Sequence, residues 1–406
     1  MIHSRMVKPR AFPWNSARDP EQINRLQEIT GDLALNRDKL YEIGRIDLLD
    51  YRKRTPSFTG RFRQFEYGSM EFWYDLANVV TPVGPSHAIA LTDLETTMID
   101  VSTYLTDDNN TFTGTAWFPK LRVSGFTINI GDPDAMLERN FNVISEGAFE
   151  LPGAYFAYQD DTVGLVGAHA MILSPVAVAY ASGKYIFRVL RVRSGSVSQL
   201  VEDESLTPAA DTWGFVSGTN TLTVQSCLVG DIIKCYYESA TAYATTWADD
   251  DLDASVLLAE YCEVYMKVGT AERIYRLQSV GIDVTFTRTD YKEIGNNEVV
   301  QTGVKDKSVK ISLNRFLEGF SLEEMLANDT AYPYINPADF SDNIQMMIKV
   351  FGEKEHTNFK IGYLMNKISP TALGLSQAVQ DYLKTTTALE GDNLLISDIE
   401  ADIVFS

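Results

Sequence analysis

Residues able to carry chemistry are present but do not converge. The four histidines, His3, His87, His169 and His356, are far apart and match no zinc-ligand spacing. Asp249, Asp251, Asp253 and Glu260 stand at positions 1, 3, 5 and 12 of a calcium loop, but Ala254 replaces the glycine that loop needs. An acidic turn whose Asp253 caps a helix over Asp253–Met266 accounts for the same residues. The chain has no phosphate-binding glycine loop, no dinucleotide fingerprint and no nucleophile elbow. Carboxylates are plentiful, yet none forms an evident acid–base pair. No catalytic residue, cofactor or metal site is expected, and the chain reads as a non-enzyme.

The elements that would position such groups are those of an ordinary globular chain. Of 406 residues, 45% are hydrophobic and 22% charged, with 35 basic and 55 acidic side chains and a net charge of −20. That excludes wholesale disorder and a protein that coats nucleic acid through a basic stripe. Cys227, Cys235 and Cys262 read as reduced thiols, with Cys227 and Cys235 able to oppose each other on neighbouring strands. Met1–Arg5 lacks the apolar run of a signal peptide. Thr162–Gly183 has no charged residue, but its glycines, alanines and Ser174-Pro175 break predict two buried strands rather than a membrane helix.

An internal repeat organises the rest. Arg25-Leu26-Gln27 returns as Arg276-Leu277-Gln278, and at the same offset Asp32 meets Asp283, Arg37 meets Arg288, Ser57 meets Ser308 and Phe65 meets Phe316. Glu42-Ile43-Gly44 falls on Glu293-Ile294-Gly295. Ile282, Val284 and Phe286 alternate with polar neighbours, as do Val309, Ile311 and Leu313, and the aligned residues alternate in the first copy. Each copy therefore predicts strand, long polar loop and strand. A serine-capped helix follows, Ser69–Asn78 in one copy and Ser321–Asn328 in the other.

The tails of the copies predict strands at Leu121–Ile130, Ile344–Phe351, Phe359–Met365 and Leu394–Phe405, and a helix near Ser376–Leu383. Between the copies, Tyr185–Val192, Thr221–Val224 and Ile232–Tyr237 are short strands punctuated by Gly, Asn and Asp, which predicts an inserted β-sandwich. The expected organisation is an N-terminal arm over 1–24, a β domain over 25–151, an inserted sandwich over 152–270 and a second β domain over 271–406. Arg61, Arg63, Lys305, Lys307 and Lys310 fall on outward strand faces or in the second loop, where they solvate a sheet or meet a partner.

Arg276–Asn328 resembles the core of tailed-bacteriophage tail tube proteins: an alternating strand, the Lys292–Asn296 loop, the return strand Val309–Leu313 and a short helix. The first copy has the same outline around Glu42-Ile43-Gly44, and Leu137–Phe141 looks like a closing strand of such a domain. The resemblance implies a mainly β fold, with two tail-tube-like sandwich or barrel domains, short flanking helices and an inserted small sandwich. It implies a virion protein whose subunits join edge to edge into stacked rings around a channel for viral DNA. Two domains per chain would make a ring of three chains, a pseudo-hexamer; otherwise the ring is a hexamer. Glu42, Ile43, Gly44, Glu293, Ile294, Gly295 and Asn296 would lie in the ring-stacking loops. Implied partners are further copies, tape measure, tail terminator and baseplate proteins, and a sheath protein if the tail contracts. DNA would pass without specific binding, no membrane is involved, and the protein would assemble in the host cytoplasm into the virion tail. Other readings are a capsid or neck protein, or a non-viral β-rich binding or hydrolytic protein.

Overall fold

A computed structural model describes residues 2–3, 9–13, 21–35, 37–40, 50–53, 56–77, 88–107, 112–145, 155–179, 185–194, 196–203, 208–239, 256–292, 299–317, 321–327, 340–376 and 383–405. Strands dominate. The first part of the chain holds β1 (Ile2–His3), β2 (Arg10–Pro13), β3 (Glu21–Gln22), β4 (Leu26–Ala34), β5 (Arg37–Leu40) and β6 (Asp50–Lys53). It continues with β7 (Ser57–Phe65), helix α1 (Glu71–Ala77), β8 (Ile89–Ala90), β9 (Ile99–Asp107), β10 (Phe112–Ile130) and β11 (Glu138–Ser145). The middle holds β12 (Tyr155–Thr162), β13 (Gly167–Ile172), β14 (Ile186–Arg193), β15 (Ser196–Gln199), β16 (Val201–Glu202), β17 (Thr212–Val216), β18 (Thr221–Cys227) and β19 (Ile232–Ser239). The last part holds β20 (Cys262–Lys267), β21 (Ala271–Arg273), β22 (Leu277–Lys292), β23 (Val299–Phe316) and helix α2 (Ser321–Leu326). It ends with β24 (Ile344–Phe351), β25 (Phe359–Ser376), β26 (Lys384–Gly391) and β27 (Leu395–Ser397).

Period-two patterning becomes one large sheet. In β22, Ile282, Val284 and Phe286 are at most 4% exposed, while Asp283, Thr285 and Thr287 face solvent. Antiparallel ladders then order eight strands as β4-β7-β11-β10-β22-β23-β26-β25. The first four come from the first copy and the last four from the second, in the same relative order. The copies are thus joined head to tail, through β10 against β22.

The duplication holds rung by rung. Leu26 pairs Gln64 and Glu28 pairs Arg63, with a bulge between; Leu277 pairs Arg315 and Ser279 pairs Asn314, with the same bulge. Arg25 and Arg276 precede these bulges at φ 55° and 62°, and their carbonyls accept from the amides of Phe65 and Phe316, both at 3.2 Å. A second bulge matches as well: Lys120 and Lys367 are left-handed at φ 51° and 54°, where β10 and β25 each cross from one sheet into another. A third pair of bulges, at Ser124 and Thr371, repeats within β10 and β25. Bulges bend and re-aim a strand, so each long strand serves two sheets.

Those second sheets cover the buried face of the large one. In the first copy β9 and the start of β10 pair with each other, and β2 and β3 extend the sheet. In the second copy β24 and the start of β25 are extended by β20 and β21. Helix α1 seals the first core: Trp73 meets Phe126 and Phe141 edge-on at 5.0 and 4.9 Å. The copies fill equivalent space differently. Phe58 lies over Gly31 and Gly60, and a Cβ on Gly60 would stand 2.7 Å from its ring. The second copy puts Val309 where Phe58 is, and Ile282 and Ile311 where the glycines are.

The middle segment forms two four-stranded sheets, β12-β19-β14-β15 and β13-β18-β17-β16, around their own core. It docks on the outer face of β9 and β10. Trp117 packs with Phe156 and Tyr236, and Arg188, stacked on Trp117 and Tyr236, pairs with the buried Asp100. On the second copy, Ile403 from the chain's last residues packs on Leu364 and Met347.

Several expectations change. Arg10–Pro13 and Glu21–Gln22 are strands of the first domain, with Ala11 and Ile23 at most 2% exposed, rather than a detached arm. Cys262–Lys267 is a strand paired with β24, so the helix expected over Asp253–Met266 is not formed there. Among its described residues, the charge-free run yields one strand within it, β13, half of it exposed, instead of two buried ones. Only Leu395–Ser397 of the expected final strand is paired as a strand. Ser376 closes β25, and the rest of the helix expected near Ser376–Leu383 lies outside the described residues, apart from Leu383. No helix of the described residues is long and apolar enough to cross a membrane.

Two predictions follow from this packing. Gly31→Ala destabilises the fold by about 1–3 kcal/mol, because its Cβ overlaps the Phe58 ring; adding Phe58→Val recovers part of that loss, read by urea unfolding. In the insert, Asp231 accepts from Arg193 at 2.6 and 2.8 Å and from the Leu228 amide at 2.8 Å. The Arg193 hydrogen bond chiefly holds its carboxyl below the ordinary 3.8. A depressed folded value gives stability that is present above 3.8 and lost as pH falls through the folded value. The stability gap between wild type and Asp231→Asn therefore closes on acidification below that value, read by thermal unfolding against pH.

Candidate assembly surface

The groups that could do covalent or metal chemistry stay apart. His169 pairs with Asp161 at 3.2 Å and His356 with Glu263 at 2.8 Å, one pair in the middle segment and the other in the last part of the chain. Cys227 and Cys235 are free, on strands of opposite sheets of the insert, and burial pushes the thiols of Cys227, Cys235 and Cys262 up. No cluster of metal-ligating residues occurs among the described residues. Of the calcium-like carboxylates, Asp249, Asp251 and Asp253 lie outside them, and the amide of Glu260 bonds the Pro133 carbonyl at 2.9 Å.

What the fold does present is a wide polar wall. The solvent face of the eight-stranded sheet carries rows of aligned side chains, one running Glu28, Arg63, Asn140, Thr127, Asp283, Lys310, Glu390 and Ser369 across all eight strands. Small polar residues tie neighbours together: Asn314 donates to Ser279 at 2.8 Å and Thr386 donates to Asn314 at 2.7 Å. Arg63 lies 3.9 Å from both Glu28 and Glu138. Lys310 is exposed between Asp283 and Glu390, and Arg61 is exposed opposite Thr30. The wall mixes both signs, so the acidic excess of the chain lies mainly elsewhere.

The junction between the copies is continuous sheet. Phe126 pairs Val284 and Ile128 pairs Ile282, all at most 1% exposed. Arg288 clamps it: its guanidinium donates to the Val123 carbonyl at 2.6 and 2.9 Å and to the carbonyls of Leu94 and Glu95. Lys307 adds an ion pair to Glu95 at 3.0 Å, so it belongs to this junction. Behind the sheet, Arg139 bonds Gln64 and Glu66, all 0% exposed, and Tyr363 of the second copy donates to Glu66 at 3.1 Å. Removing one partner of such a buried pair is strongly destabilising, so the network locks the two copies together.

Of the residues singled out from the sequence, Glu42, Ile43 and Gly44 lie outside the described residues, as do Glu293, Ile294, Gly295 and Asn296. Their flanks are described. β5 pairs β6 from Arg37↔Lys53 to Leu40↔Asp50, and β22 pairs β23 out to Lys292↔Val299. Each expected polar loop is thus carried on an antiparallel hairpin. Lys305 is exposed on the second of these. Sequence reasoning expected edge-to-edge joining but did not say which strands form the outer edges, although the shared Arg37 and Arg288 pointed toward one of them.

No protein-family model matches the chain, and no curated protein matches it. Solved structures similar to part of it include the following two. One is the sheath-tube complex of an extracellular contractile injection system, PVC, in the extended state, at 14% identity and a TM-score of 0.29, covering 38% of this chain and 99% of that chain. The other is the tube-terminating cap of the anti-feeding prophage, at 13% identity and a TM-score of 0.29, with the same coverage. Likeness at this level leaves function to be argued from the chain itself.

The junction makes one clear prediction. Arg288→Ala removes several charge-assisted hydrogen bonds to buried carbonyls and lowers unfolding stability by about 2–4 kcal/mol, read by urea denaturation of the dispersed protein. An unchanged midpoint would show that the clamp is not part of the monomer's stability.

Proposed function

We propose that the chain is a virion structural protein, the subunit of a tail tube whose stacked rings form a channel for viral DNA. The observation that carries this reading is the repeated four-strand sheet, joined head to tail within one chain and ending in two outer edges. Head-to-tail joining gives a ring where the rotation per copy closes, and closure removes the edges that would otherwise invite uncontrolled pairing. With six domains to a ring, as the resemblance to tail tube proteins implies, three chains complete it.

In this reading the polar wall lines the channel. Its cations sit among carboxylates and short polar side chains, so few phosphates find an uncompensated partner. The hairpins bearing Glu42–Gly44 and Glu293–Asn296 reach the next ring. The insert, docked on the opposite side through Trp117 and Arg188, stays outside the channel. Tape measure, terminator and baseplate proteins are the proposed partners, with a sheath in a contractile tail, and the proposed role is structural rather than enzymatic.

Negative-stain microscopy of the purified protein tests the reading. Rings or tubes with a central hole are expected; shells, or monomers at every concentration tried, would contradict it.

A further inference from the structure

The junction inside the chain predicts the junction between chains. Among the described residues, β4 is paired only with β7, and the β25 segment Ser369–Ser376 only with β26. β4 is the first-strand counterpart of β22, and Ser369–Ser376 is the counterpart of Arg122–Asn129 in β10, bulge included. The residues buried at the inner junction therefore have named counterparts on the outer edges. Val284 corresponds to Leu33, Phe126 to Leu373 and Ile128 to Leu375. The inner residues are at most 1% exposed, whereas Leu375 is 63% exposed and Leu33 and Leu373 are half-buried. Apolar side chains stand on both edges at the positions that a repeat of the inner ladder would bury.

We infer that a second copy of this chain occupies each edge in the register of the inner junction, Leu373 pairing with Leu33, Gly374 with Asp32 and Leu375 with Gly31 of the neighbouring protomer. Gly125, whose missing Cβ admits the Val284 carbonyl, is replaced by Ala372, so the ladder starts at Leu373. Arg37, exposed and equivalent to Arg288, donates to the Pro370 carbonyl of the neighbour as Arg288 does to Val123. The pairing deepens the tube reading and rests on it for ring closure; the edge register is tested separately.

Asp32→Cys/Gly374→Cys places one thiol on each edge, on the solvent face, at a spacing a disulfide can bridge. Glu28→Cys/Gly374→Cys is the control, displaced along the strand beyond disulfide reach. Mild oxidation of assembled particles is expected to link chains in the first variant at least tenfold more than in the second, ending at three chains on a non-reducing gel. Equal linking in both, or none in the first, overturns the register. A ladder running past three chains supports the register and overturns the three-chain ring. Unsubstituted protein gives an independent reading: on assembly, amide exchange should slow at residues 30–34 and 372–376, and unchanged exchange there overturns the pairing. Arg37→Ala should leave the urea midpoint of the monomer unchanged while raising the concentration needed for assembly; the reverse pattern overturns its role.

Discussion

A β-sheet is held by backbone groups that must find partners, and in this chain that requirement decides the architecture. A strand edge left open presents a row of unmet donors and acceptors. Within the chain, the edge of the first copy is met by the second, through β10 and β22. The side chains follow the ladder: Phe126, Ile128, Ile282 and Val284 are buried because the strands bring them together, each contributing about 1.5–3 kcal/mol relative to exposure. The same constraint then applies at the outer edges, where the chain itself offers no further strand among its described residues.

Duplication explains why one answer serves twice. The copies share strand order, three pairs of bulges and two pairs of left-handed residues of the same type, Arg25 with Arg276 and Lys120 with Lys367. Backbone geometry has been kept while side-chain volume has been redistributed, as Phe58 over two glycines and Val309 between two isoleucines show. The outer faces have diverged further. An inserted sandwich covers one copy through Arg188 and Trp117, and the chain's own last residues cover the other through Ile403. The sheet that joins copies stays common, and the surfaces that meet other surroundings differ.

Much of this was legible in the sequence where alternation was strong. The strands containing Leu33, Phe58, Ile282 and Ile311 and the equal spacing of the two copies were readable, as was the mainly β class. The tails were harder, because β11 carries Arg139 and Phe141 where β26 carries Thr385 and Thr387, so polarity hides the equivalence. The first strands were obscured by Pro9, Pro13 and Pro20, which read as an arm. Val264 and Met266 alternate as a strand should, but the capping signal at Asp253 favoured a helix. The tips expected to stack rings were named from the resemblance, and the structure describes only the hairpins that carry them. Which strands form the outer edges could not be read, since an edge is assigned only once strand order is known.

The account stands or falls on the continuity of the sheet from chain to chain. A cryo-EM map of the assembled particle measures it directly. The account predicts three chains per ring, with an unbroken ladder in which β25 of each protomer pairs with β4 of the next in the register of β10 and β22. Six chains per ring, or three chains whose β4 edges face solvent, would contradict it.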